Sequence, residues 1–131
     1  MHFRNSLISL LVLLMFPSSA MAHSKAKTNV PETGSVVAAG IDELRINFSK
    51  KVRVTKFEMH KVKHVTSDKL PNASVSEVTD VLLSEPISKA FTKQLKISFE
   101  PLSTGDYKYS WIAIARDGHK LKGKGHFGVS D

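Results

Sequence analysis

Apolar side chains fall on alternate residues in several short runs of this chain, and that period of two limits its fold more than any other feature. Leu44, Ile46 and Phe48 alternate with Glu43, Arg45 and Asn47, while Leu95, Ile97 and Phe99 alternate with Lys96 and Ser98. Both runs are expected to form half-buried strands, because successive side chains of a strand point to opposite faces. Val52-x-Val54 followed by Phe57-x-Met59 predicts another strand or a bent pair. Tyr107, Tyr109 and Trp111 share one face of a run that continues through Ile112-Ala113-Ile114-Ala115, where both faces are apolar, so this strand is expected at the centre of the domain. The last run, Gly125 to Val129, predicts a closing strand with Phe127 and Val129 inward and His126 outward. Residues 67–85 are less regular, with a turn at Pro71-Asn72-Ala73-Ser74 and an interruption at Pro86. Many short strands in a small chain point to an all-β sandwich or small barrel.

The first 22 residues have a different character. A short cationic start (His2, Arg4), an apolar run from Leu7 to Phe16 and a small-residue site at Ala20-x-Ala22 together form a secretory signal. The apolar run is too short for a membrane-spanning helix, which needs about 20 residues, and Pro17 breaks it. The expected organisation is therefore a cleaved signal at 1–22 and one domain at 23–131. A domain of that size has a single core. The chain has no cysteine, so disulfides and thiolate metal sites are excluded. Its formal charge of +7 falls by one when Arg4 leaves, and the lysines read as a scattered, solvated surface. Export removes nucleic acid as a partner, and no stable membrane insertion is expected after cleavage.

Cutting after Ala22 makes His23 the first residue of the mature chain. Its free amine and its ring nitrogen can then close a chelate on one metal ion. Late in the chain stands Arg116-Asp117-Gly118-His119. If the backbone there is extended, Asp117 and His119 project to the same side and offer one oxygen and one nitrogen. Asp-Gly is also a common hairpin-turn pair, which alone explains the motif as a turn. Taken together, His23, Asp117 and His119 supply three nitrogens and a carboxylate. That set suits tetragonal Cu(II), remains compatible with tetrahedral zinc, and is poor for calcium or magnesium.

Several stretches carry a family resemblance. His23 after the cleavage site, "PETGSVV" (31–37), "LRINFSKKV" (44–52), "LSTGDYKYSWIAIARDGHKLKG" (102–123) and "FGV" (127–129) resemble the periplasmic copper-binding proteins of the CopC family, whereas residues 61–93 match little. The resemblance implies a Greek-key β-sandwich or barrel of immunoglobulin-like, cupredoxin-like type. It also implies Cu(II) held by the amine and ring of His23, by Asp117 and by His119. Some members add a Met-rich stretch for Cu(I); here Met59 is the only methionine after the signal, so only the Cu(II) site is expected.

The function expected from these readings is a non-enzymatic periplasmic copper carrier or buffer acting in copper homeostasis or resistance. Its candidate recipient is an inner-membrane copper transporter. Two rivals stand beside it: a copper monooxygenase with a histidine brace, and a sandwich that binds a partner and no metal. Asp117 counts against the monooxygenase, since it fills a position such enzymes keep open for oxygen. Met59, His60 and His64 form a weaker candidate for a second site, because neighbours in a strand face opposite ways.

Overall fold

A computed structural model describes residues 26–66 and 74–131. The leader, His23 and most of the turn expected near Pro71 lie outside the described residues. Among the described residues the chain forms seven strands: β1 (Thr28–Val30), β2 (Val36–Ala38), β3 (Glu43–Thr66), β4 (Ser74–Asp80), β5 (Thr92–Ser98), β6 (Gly105–Ala115) and β7 (Lys120–Ser130). The architecture is the all-β sandwich or barrel that the alternating runs imply, of the immunoglobulin-like type that the family resemblance implies, with all seven strands joined in one curled sheet.

The long strand β3 belongs to both layers. Its first part, Glu43 to Asn47, pairs with β5 and, over Arg45 to Asn47, with β1. Its second part pairs with β6 from Val52 to Val62, and with β4 from His60 onward. Val52 marks the crossing, since it is opposite both Thr92 of β5 and Ala115 of β6. β6 and β7 form an antiparallel hairpin, and β2 joins the free edge of β7 in parallel.

The paired apolar runs at 52–54 and 57–59 are one continuous strand rather than two. A register shift between Val54 and Lys56 inserts Thr55 as a bulge. Because a bulge places two residues opposite one, it moves the inward positions from even to odd numbers. Val52, Val54 and Met59 are accordingly all buried.

The core is aromatic along β6. Tyr107 stacks on Phe127 at 5.7 Å, Tyr109 on Phe57 at 6.1 Å, and Trp111 meets the edge of Phe48 at 5.0 Å. Fully burying side chains such as Leu44 and Ile46 stabilises by about 1.5–3 kcal/mol each. The register sets Trp111 opposite Gly123 and Tyr109 opposite Gly125. A glycine leaves the space that the facing ring occupies; a Cβ at either position would overlap it. β6 is central, as expected, but its two faces differ. Ala113 and Ala115 are buried, whereas Ile112 and Ile114 on the outer face are only half covered.

Candidate metal centre

Asp117 and His119 sit in the turn between β6 and β7. The backbone there is not extended. The Gly118 N–H donates to the Ala115 carbonyl at 3.0 Å, and the Ala115 N–H donates to the His119 carbonyl at 2.9 Å. Gly118 adopts φ +86°, a left-handed conformation that costs glycine little, so Asp-Gly builds a tight hairpin. The expectation that alternation would align Asp117 with His119 is therefore corrected, because the turn itself brings them together. The His119 N–H donates to Asp117 Oδ1 at 3.1 Å, and His119 Nδ1 lies 2.9 Å from Oδ2.

This pairing has chemical consequences. Hydrogen bonds from His119, the backbone N–H foremost, hold the Asp117 carboxyl below its ordinary range, and Lys50 adds a weaker pull in the same direction. In the neutral ring the hydrogen resides on Nδ1, which leaves the Nε2 lone pair for a metal. The imidazole is 81% exposed, so none of the described residues obstructs an incoming ligand. A carboxylate has about four lone-pair positions, of which His119 uses two. Among the described residues no third histidine or acid completes a metal cluster with this pair.

The approach to the turn is basic. Lys50, Lys51, Lys93 and Arg116 line one cleft of about 470 Å³ with Asp117. Arg116 and Arg53 both lie over the Phe91 ring, at 5.4 and 4.5 Å. The adjacent pair Lys50-Lys51 was visible in the sequence, but its convergence on Asp117 required the crossing of β3 between layers.

The start of β1 leads toward the same end of the molecule. β1 runs antiparallel to the first part of β3, so its first residue, Thr28, is opposite Asn47 rather than Arg45. The Lys27 N–H donates to the Asn47 carbonyl at 2.7 Å, and Ala26 packs against the core. Beyond Asn47, β3 continues through Lys50 and Lys51 to Val52, the partner of Ala115.

The weaker candidates separate. Met59 is buried in the core at 2% exposure, while His60 faces outward and pairs through Nδ1 with Asp80 at 2.7 Å. The His64 side chain lies outside the described residues. His126 is exposed, as expected.

Residues 26–130 match the CopC domain. The chain belongs to the CopC family. It is 32% identical over 111 residues to Copper resistance protein C of Escherichia coli, a match covering 85% of this chain and 84% of that protein. Among solved structures it resembles PcoC, a methionine-rich copper resistance protein of Escherichia coli, with a TM-score of 0.60 and 26% identity over 83% of this chain and 100% of that one. CopC of Methylosinus trichosporium OB3b shares the fold, with a TM-score of 0.52 and 19% identity over 78% of this chain and 88% of that one. The two Escherichia coli relatives are copper resistance proteins, and membership of their family decides against the monooxygenase reading. This CopC-family chain differs from PcoC in one visible respect. It is not methionine-rich: it has four methionines, and Met59, the one among the described residues, is enclosed by the core.

Proposed function

We propose that this protein is a periplasmic carrier or buffer for Cu(II), holding one ion through the amine and ring of His23, a carboxylate oxygen of Asp117 and the imidazole of His119. The observation that carries the reading is the preformed Asp117–His119 pair at the end of the sandwich toward which the start of β1 points. From Ala26, three extended residues span roughly 10 Å, and continuing the antiparallel register of β1 along β3 carries a cleaved terminus toward Lys50 and Lys51, which line one cleft with Asp117. Three nitrogens and one oxygen favour Cu(II), which heads the divalent affinity order for such ligands. The lysines and Arg116 around the turn repel a free dication, so the affinity rests on local bonds. Cu(I) prefers soft thioethers, and the enclosure of Met59 supports a site for Cu(II) alone. Copper is cargo here, destined for sequestration or for an inner-membrane transporter.

The test is to add one residue ahead of His23. Every side chain stays in place and only the amine is blocked. Equilibrium dialysis of the mature protein should show one strong Cu(II) site that the extended form lacks, with electron paramagnetic resonance reporting the loss of a nitrogen ligand. Mass spectrometry of the exported protein should place the terminus at His23. Equal affinity in the extended form, or a terminus elsewhere, would end the proposal.

A further inference from the structure

The outer face of the sheet formed by β3, β6 and β7 is organised by register into three parallel lines. Along β7, Lys120, Lys122 and Lys124 all point away from the core, because Leu121, Gly123 and Gly125 occupy the inward positions. Along β6, beside them, run Ile114, Ile112 and Ser110, their direct cross-strand partners. On the far side, Arg53 is opposite Ile114 and Lys56 is opposite Ile112. A recessed apolar stripe thus lies between a lysine rail on β7 and a mixed line on β3, where Glu58, opposite Ser110, follows Arg53 and Lys56; the β7 lysines that read as scattered in sequence are gathered by strand pairing.

Two features mark this face as a binding surface. Among the described residues none of Lys120, Lys122 and Lys124 has an ion-pair partner, and Lys56 is answered only by Glu58 on its own strand, at 3.0 Å. A cleft of about 410 Å³ opens above Ile112 and Trp111, flanked on the β7 side by Lys122 and Lys124 and on the β3 side by the Lys56–Glu58 pair. Half-buried isoleucines on a sheet face that no other described element covers leave apolar area in contact with water.

We propose that this face docks an acidic protein segment that presents a row of carboxylates beside an apolar side chain. The carboxylates meet the β7 lysines, whose spacing of about 6.8 Å is that of alternate residues in a strand, and the apolar group fills the cleft over Ile112. Charge complementarity names the sign of the partner, and the recessed stripe favours protein over lipid. A bilayer-binding face inserts protruding apolar groups. Here the apolar groups are sunk between longer lysines, so the protrusion must come from the partner. The inference does not depend on copper binding.

Two synthetic peptides of equal length and charge test it, one of glutamate and leucine, the other of glutamate and serine. Binding to the mature protein is followed at low salt by calorimetry and by amide chemical-shift mapping. The leucine peptide should bind roughly tenfold more tightly and shift Ser110, Ile112 and Lys122 most. A Lys120→Gln, Lys122→Gln, Lys124→Gln triple variant should weaken it roughly tenfold, while Lys27→Gln, Lys63→Gln, Lys89→Gln, with the same loss of charge, should change it by less than about twofold. Equal binding of the two peptides, or equal weakening by the two variants, would show net charge alone and overturn the proposal. Vesicles of phosphatidylethanolamine and phosphatidylglycerol provide the remaining arm. Vesicle binding that needs the β7 lysines, with peptide binding that does not, would assign the face to lipid and likewise overturn it. Shift mapping uses the unaltered protein, so a variant that folded poorly would not shelter the idea.

Discussion

Replacing Gly123 by alanine probes the contact that keeps β6 and β7 packed together behind the Asp117–His119 turn. In open space the change would help, because glycine inside a strand is less stable than alanine by about 0.5–1 kcal/mol. Gly123 is not in open space. A Cβ built there overlaps the Trp111 ring, with Nε1 only 2.6 Å away. Nor can the ring retreat easily, since Phe48 meets it edge-on at 85° and the indole is only 2% exposed. Overpacking costs about 1–3 kcal/mol, and overlap with three atoms of an enclosed ring places this site at about 2–3 kcal/mol, which leaves a net loss of about 1–2 kcal/mol once a backbone gain of about 1 kcal/mol is subtracted. In a domain of about 100 residues that loss lowers Tm by roughly 5–15 °C. Thermal unfolding followed by circular dichroism measures it directly. An unchanged or raised Tm would mean that Trp111 has room to swing aside, and the account of aromatic rings seated on cross-strand glycines would be wrong.

The remaining predictions concern protons. Asp117 has a lowered carboxyl pKa, so its contribution to stability is present above the ordinary carboxylate value and disappears as acid protonates it through the folded value. Melting curves should separate wild type from Asp117→Asn at neutral pH and converge in strong acid; a gap of constant size would contradict the hydrogen-bonded turn. Under the proposed ligand set, copper affinity should fall below about pH 6.5, because imidazoles and an amine must be neutral to bind a metal, and a titration without proton release would count against that set. Tyr109 behaves oppositely. Burial raises the pKa of its phenol; the Thr33 hydroxyl is close enough to temper the rise but is not aligned as a hydrogen-bond partner. The stability that follows is complete below the ordinary tyrosine value and lost as pH climbs past it, so Tyr109→Phe should resist alkaline unfolding better than wild type. Removing a buried hydroxyl that has no partner among the described residues should also be nearly neutral at pH 7, and a large drop in Tm there would expose a hydrogen bond that this geometry does not contain.

How far the sequence could be read depended on the range of the interaction concerned. Alternation at 44–48, 95–99 and 107–115 announced strands and their inward faces, because a period of two is a local property that any strand must satisfy. Asp-Gly announced a hairpin for an equally local reason. The bulge at Thr55 was not legible, since only pairing with β6 reveals that the change from Val54 to Phe57 is one extra residue rather than a break. The meeting of Asp117 with His119 was expected for the wrong reason, and the turn supplied the right one.

By itself the sequence determined that the chain would be all-β and cysteine-free, and that an Asp-Gly-His segment would stand at a hairpin late in the chain. Tertiary structure alone decided which layer each half of β3 would enter, how Lys50 and Lys51 came to stand beside Asp117, and that Lys120, Lys122 and Lys124 would share a face with Arg53 and Lys56. Those outcomes join residues tens of positions apart. Cross-strand register, fixed by burying one continuous core, brings them together, and no short window of sequence contains that information.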